Sequence, residues 1–212
     1  MKKYCTLAMA GMLALATSSV AATQATNSAT VAPTLQISAT IQKAVSLTLS
    51  TGTTIGISHC AVNAGGGPPD YTMNFGTVDA LAINNGNCNK IAPTTPGVDN
   101  AIYWSDYKVT PIYTSHQVFA GTTVSAQVTT DFAAPNNIFV VRSSTATSST
   151  TPTLLTDFAA LSTGSADTIG AAGVASGTAL TRFIGVAVKP DNGAAVLQGA
   201  QSATVTFTLT VQ

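Results

Sequence analysis

An all-β fold, built as an antiparallel β-sandwich, is predicted by three features of this sequence. Short stretches alternate apolar and polar residues with a period of two, which is typical of strands with one buried face. Turn signals rich in glycine, proline and asparagine separate these stretches. No segment shows a convincing long amphipathic helix. About eight to ten short strands spaced by turns predict two antiparallel sheets that pack face to face.

The N-terminus carries the pattern of a secretory signal peptide. Two lysines precede an apolar core at residues 7–16, and small residues follow up to Ala22. This is the order of charged head, apolar core and small-residue cleavage site. We expect residues 1–21 to be removed, and with them Cys5. The apolar core is shorter than the ~20 residues of a membrane-spanning helix, so we expect no stable membrane span after removal.

The composition after that cleavage excludes one class of partner. Four lysines and two arginines face eight aspartates, so the formal charge is −2. Nothing basic remains to neutralise a phosphate backbone, and nucleic-acid binding is not expected. Charged residues make up only 8% of the whole chain, against about a quarter in typical globular proteins. Low charge favours association, which suits a secreted protein of the periplasm, cell surface or medium that works within an assembly.

Two cysteines, Cys60 and Cys88, remain after the signal is removed. An even number of cysteines in an exported chain predicts a disulfide. The alternative is a metal site that adds His59 and His116. Zinc ligands usually come in close pairs such as Cys-x-x-Cys, and the chain has no such pair. We therefore predict a Cys60–Cys88 disulfide across 27 intervening residues, with no bound metal or other cofactor.

A single β-sandwich domain is predicted over residues 34–212, after a flexible arm at residues 22–33 that is poor in apolar side chains. Its clearest alternating runs are Leu35–Ile41, Val45–Leu49, Tyr71–Phe75, Val124–Val128, Phe183–Val188 and Val205–Val211. The run Ile138–Val141 is continuously apolar, which predicts a strand covered on both faces. Residues 154–161 are predicted to form a short helical turn, and residues 164–177 a flexible segment.

An aromatic run at residues 102–113 is predicted to form a further strand. Pro111 falls inside it, which predicts a bulge or a sheet edge at that position. Tyr103, Trp104 and Tyr107 form a candidate platform for stacking a sugar ring. The alternative is core packing, which we favour because alternating aromatic residues more often fill a core.

Catalytic motifs are absent from the sequence. The serines lie in no Gly-x-Ser-x-Gly elbow, the two histidines lie in no recognisable motif, and all eight acidic residues are aspartates that mostly lie next to turns. Aspartate commonly bonds its own backbone in turns. We predict that the protein is not an enzyme.

Three segments resemble bacterial fimbrial (pilin-like) subunits and spore coat U-type secreted proteins: residues 35–41 (LQISATI), 74–78 (NFGTV) and 203–211 (ATVTFTLTV). The resemblance implies an immunoglobulin-like β-sandwich that polymerises when the N-terminal strand of one subunit completes the sheet of its neighbour.

Independently of that resemblance, the arm and the first alternating run have the form of a donated strand. The arm provides reach, and apolar side chains follow at every second position. The candidate donor residues are Leu35, Ile37, Ala39 and Ile41. The alternative is that residues 35–41 form the first strand of a self-complete domain.

These features predict an exported structural subunit of a fimbria- or coat-like bacterial surface assembly. It is expected to pair strands with copies of itself or with other subunits. The alternative function is a secreted carbohydrate-binding or adhesive β-sandwich module, with a glycan as its ligand.

Overall fold

The computed structural model of the protein describes residues 36, 38, 44–114, 121–133, 137–190 and 199–211. The predicted signal peptide, the arm, the four candidate donor residues and His116 lie outside the described residues. Gln36 and Ser38 are described, and both are exposed. All described strands belong to one compact unit, Gln42–Gln212.

The described residues of this unit form eleven strands. They are β1 (Val45–Thr51), β2 (Val62–Ala64), β3 (Tyr71–Met73), β4 (Asn89–Ile91), β5 (Ala101–Tyr113), β6 (Thr123–Thr130), β7 (Ile138–Ser143), β8 (Phe158–Ala160), β9 (Asp167–Gly170), β10 (Leu180–Val188) and β11 (Thr204–Thr210). The larger sheet has the order β1-β5-β10-β7-β8, with β4 also paired to β5. The second sheet has the order β11-β6-β9, and β2 pairs with β3.

The larger sheet and the second sheet pack face to face. One hydrophobic cluster draws its buried side chains from β5, β7 and β10 of the larger sheet and from β6 and β9 of the second sheet. Every described strand pair is antiparallel. The predicted all-β antiparallel sandwich is therefore confirmed.

Strand β5 pairs with three other strands of the larger sheet. β10 pairs along one edge of β5 as far as Val109. The opposite edge is shared, because β4 pairs with residues 102–104 and β1 with residues 107–113. Pro111 lies beyond the end of the β10 ladder, and its carbonyl accepts a hydrogen bond from Gly177 N (2.7 Å). The missing N–H of this proline thus falls at a local edge, which is one of the two predicted outcomes.

The central part of the larger sheet is buried on both faces. Its inner face meets the second sheet, and a separate cluster covers its outer face. The outer cluster consists of Ile102, Trp104, Val141, Phe158, Phe183 and Ala187. Neighbouring residues of β7 divide between the two clusters, with Val140 inside and Val141 outside. The prediction of a strand covered on both faces is confirmed for Val140 and Val141, whereas Ile138 and Phe139 keep intermediate exposure.

The disulfide between Cys60 and Cys88 is present, with the two Cα atoms 5.3 Å apart. It ties the β1–β2 connection to the residue that precedes β4. Cys60 N also donates a hydrogen bond to Ser105 Oγ (2.9 Å), so this connection is held to β5 as well. The predicted Cys60–Cys88 disulfide is confirmed.

The predicted helical turn at residues 154–161 is largely wrong. Only Leu155–Asp157 forms a 3₁₀ turn, and Phe158–Ala160 is strand β8. The Asp157 carboxylate accepts hydrogen bonds from the backbone of Thr153 and Leu154 (2.8 Å each), which closes the turn locally. The chain then extends because Phe158 is buried beside Trp104, with ring centroids 6.0 Å apart.

The segment 164–177, predicted to be flexible, contains strand β9. Ile169 is 2% exposed and belongs to the inner core. Asp167 binds Arg142 across the sandwich (Nε to Oδ2, 2.9 Å). Burial of Ile169 and the Arg142–Asp167 ion pair thus order this segment, although its many small residues show no periodic pattern in the sequence.

Candidate functional site

The side of the sandwich where β1 and β11 end the two sheets is the candidate assembly site, and we call it the open edge. β1 pairs with β5, and β11 pairs with β6; among the described residues neither strand has a partner along its other edge. β1 and β11 contact each other across the interior. Nearby, the ring of Tyr107 packs edge-on against Phe207, with centroids 5.6 Å apart. Two strand edges therefore border one side of the same core.

Apolar side chains along the open edge are incompletely buried. Five of them pack against the core but keep intermediate exposure: Leu47, Leu49, Val205, Phe207 and Leu209. Val45, at the start of β1, is 63% exposed. The equivalent inward positions of central strands, such as Val109 and Val124, are 0% exposed. Along the open edge, backbone groups without a strand partner among the described residues lie beside apolar surface. An added strand would form hydrogen bonds with the backbone groups and cover the apolar surface.

Strict alternation in the sequence positions these side chains. In β11 the threonines at 204, 206, 208 and 210 are exposed, while the residues between them turn to the core. A shift of one residue would reverse this arrangement, so the pairing register with β6 is strongly specified. The outward face of this strand is uncharged and carries hydroxyl groups.

The candidate sugar platform lies in the core. Tyr103, Trp104 and Tyr107 are 1%, 4% and 4% exposed. Tyr103 and Tyr107 belong to the inner cluster and Trp104 to the outer cluster, because successive residues of a strand point to opposite faces. The three side chains therefore share no common surface. They pack in the core, which is the alternative favoured in the sequence analysis.

A groove of about 390 Å³ lies on the outer face of the larger sheet. Its floor is apolar and includes Ile102, Phe139, Val141, Phe158 and Ala187. Its polar lining comes from Asp99, Asn100 and Thr156. Lys189 Nζ lies 5.1 Å from the centroid of the Phe139 ring. This groove combines aromatic carbon with hydrogen-bonding groups.

His59 and Asp106 form a polar side-chain pair that the sequence analysis did not predict. The Asp106 carboxylate is 0% exposed, and its Oδ1 lies 2.6 Å from His59 Nδ1. Its Oδ2 accepts a hydrogen bond from Thr54 N (2.9 Å). Burial raises the pKa of this carboxyl, but the hydrogen bonds from Thr54 and His59 outweigh burial and hold the pKa below its ordinary value.

The His59–Asp106 pair contains the base and the orienting group of a hydrolytic triad. In the described part of the chain no hydroxyl or thiol is hydrogen-bonded to His59 Nε2. The two partners lie 47 positions apart in the sequence. No local motif marks such a pair, and only the pairing of β5 with its neighbours brings them together.

Two further observations concern metals and membranes. Over the described ranges, no group of three or more His, Cys, Asp or Glu side chains is placed to hold a metal ion. Within the same ranges no helix has the length and apolar character needed to cross a bilayer. No protein-family model, curated protein or solved structure matches the chain.

Proposed function

We propose that the protein is an exported structural subunit of a fimbria- or coat-like bacterial surface assembly, whose copies join by β-strand pairing at the open edge. The observation that carries the proposal is the state of β1 and β11. Each ends a sheet, and the apolar side chains between them are only partly buried. An edge of this kind is a template for pairing with another chain.

The segment 35–41 of a second copy has the matching chemistry. It carries Leu35, Ile37, Ala39 and Ile41 at every second position and no charged residue. One face of such a strand would cover the half-buried residues of the open edge. Each fully buried Leu or Ile side chain contributes roughly 1.5–3 kcal/mol, so three of them and the new backbone hydrogen bonds provide enough for specific association.

The disulfide and the low charge support the same proposal. Disulfides are typical of chains that mature in an oxidising compartment. A chain with only 8% charged residues carries little repulsion between copies. Both features fit material that is exported and then packed closely.

The test compares two adjacent substitutions in the candidate donor segment. Ile37→Asp places a charge on the apolar face, whereas Ser38→Asp places the same charge at a position that is exposed. Electron microscopy and sizing of the purified mature protein should show polymers for the wild type and for Ser38→Asp, and monomers for Ile37→Asp.

Stability measurements on dilute Ile37→Asp separate donation from a self-complete domain. If residues 35–41 are donated, the monomer keeps the unfolding midpoint of wild-type protein diluted until it is monomeric, because only assembled subunits gain stability from the donated strand. A monomer that unfolds at lower denaturant would instead place residues 35–41 in its own core. Equal polymerisation of both variants would remove strand donation from the proposal.

A second candidate function, carbohydrate binding, is favoured by the outer-face groove. Neutral sugars bind where apolar rings and hydrogen-bonding groups converge, and the groove offers Phe139 and Phe158 beside Asp99 and Asn100. Asn100→Ala should abolish retention on a glycan array, while Ser149→Ala, in an exposed loop, should leave it unchanged. An array on which the wild type binds nothing would remove this candidate.

A further inference from the structure

The loop between β3 and β4 presents the Asn85 side chain to solvent, directly before Gly86. The Oδ1 atom of Asn85 lies 2.8 Å from Lys90 Nζ. An ammonium group only donates hydrogen bonds, so the amide atom that faces it is the oxygen. Asn85 is thus an exposed residue whose amide oxygen is bonded to a positive charge.

The loop holds Lys90 in this position by several contacts. Its Nζ also donates to Ala82 O (2.7 Å) and Asn84 O (3.2 Å). The Asp79 carboxylate fixes the preceding turn, because it accepts hydrogen bonds from the backbone of Leu81, Ile83 and Asn84. These contacts hold the Lys90 side chain in one conformation beside the Asn85 amide.

Position 86 admits only glycine. Its φ is +62°, and a Cβ there would lie 2.8 Å from Tyr103 Cδ1 and 2.9 Å from Phe75 O. Glycine leaves the backbone nitrogen sterically open to the preceding side chain. In the described structure no hydrogen bond engages Gly86 N.

We propose that Asn85–Gly86 is a site of spontaneous deamidation that Lys90 promotes. Gly86 N attacks Asn85 Cγ, the Gly86 N–Cγ bond forms, and the amide proton of Gly86 is lost to solvent. The Cγ–Nδ2 bond then breaks, and Nδ2 leaves as ammonia after taking a proton from water. Solvent water opens the resulting succinimide to aspartate or isoaspartate at position 85. No oxidant or reductant takes part.

Lys90 assists because negative charge develops on Oδ1 in the tetrahedral intermediate. A fixed ammonium at that oxygen stabilises the charge as it forms. The same ammonium then pairs with the carboxylate of the product, and the formal charge of the chain becomes more negative by one. Lys90 acts here as a positioning and electrostatic group, not as a nucleophile.

Neighbouring asparagines lack this arrangement. Asn84 is engaged by Asp79 through its backbone and its side chain. Asn87 donates to Asn74 O, and Asn89 binds the backbone of Ser58. None of the three is followed by glycine. Deamidation in this loop is therefore expected at Asn85 alone.

The experiment follows the folded, oxidised mature protein over time near neutral pH. Peptide mapping by mass spectrometry should show a gain of one mass unit at Asn85, and isoaspartyl methyltransferase should label the same peptide. The rate at Asn85 should exceed the rate in urea-unfolded protein by roughly tenfold, the equivalent of one hydrogen bond to a charged group. In the unfolded chain, Asn85–Gly86 and Asn192–Gly193 should react alike and serve as references.

Variants of Lys90 identify its role. Lys90→Met should lower the folded-state rate to that of the unfolded chain, and Lys90→Arg should retain part of the acceleration. Neither substitution should change the rate in urea. Circular dichroism establishes separately that each variant is folded, and Lys90→Arg provides the comparison if Lys90→Met fails to fold. A folded wild type that reacts no faster than the unfolded chain would overturn the proposal. So would a folded Lys90→Met protein that reacts at the wild-type rate.

Discussion

The Asp106 carboxylate, which has no exposed surface, lies 2.6 Å from His59 Nδ1. This contact fastens the connection between β1 and β2 to the outer face of β5. Gly52 completes the arrangement, because a Cβ at that position would occupy the space of the Asp106 carboxylate. A buried carboxylate is costly unless its oxygens are paired, and here His59 and Thr54 supply one partner to each oxygen.

Asp106→Asn should destabilise the fold by about 1–3 kcal/mol near neutral pH, because the amide offers one acceptor oxygen in place of two and carries no negative charge. The folded-state pKa of Asp106 lies below its unfolded value. Its contribution is therefore present above the unfolded pKa and is lost as pH falls through the folded pKa. Urea titrations across acidic pH should show the gap between wild type and Asp106→Asn closing as pH falls. Asp70→Asn, in an exposed loop, is the matched control, and a gap that stays constant with pH would contradict the assignment.

Gly185→Ala should lower the free energy of unfolding by about 1–3 kcal/mol or more. A Cβ at this position would collide with the backbone oxygen of Tyr103 and lie 3.0 Å from Trp104 Cβ. Backbone atoms in the centre of a sheet have little freedom to move aside. Thermal unfolding should show a clear loss for Gly185→Ala and no loss for Gly66→Ala, where the added carbon meets open space.

Replacing Arg182 with methionine should leave the stability unchanged or raise it. Arg182 is 8% exposed, and it donates to the carbonyls of Ile169 and Thr181. No carboxylate within the described residues pairs with it, and burial lowers its pKa. Methionine keeps much of the volume without a buried charge. Arg182→Ala should instead cost about 2–4 kcal/mol through the cavity that it leaves. Equal losses for both variants would show that the guanidinium itself stabilises the fold.

Reduction of the Cys60–Cys88 disulfide should cost about 3–4 kcal/mol, since the bond closes a loop of 27 intervening residues. Urea unfolding with and without reductant measures this difference directly. The Cys60→Ala/Cys88→Ala double variant should match the reduced wild type and should not respond to reductant. A reductant effect on the double variant would point to a different cause.

Periodicity predicted the strands that bury one clear face. β1, β6 and β11 alternate over most of their length in sequence and in burial. The strands β2, β4 and β9 have only three or four residues each, too few to show a period. Their positions depend on pairing with β3, β5 and β6, and not on a pattern within each short strand.

The candidate site was predicted in part. Alternation identified Leu47, Leu49 and Phe207 as inward residues, but which strands end the two sheets follows from topology. The aromatic residues of β5 illustrate the opposite case. Their neighbouring positions suggested one surface, whereas strand geometry sends Trp104 and Tyr103 to opposite faces.

The shared edge of β5 has a mechanical consequence. A pull along the axis of β1 loads its seven residue pairs with β5 at the same time, because the force runs parallel to the strands and shears the ladder. β10 braces the other edge of β5 over nine further pairs. The unit should therefore resist tension along its strands far better than a pull at right angles, which opens the pairs one after another.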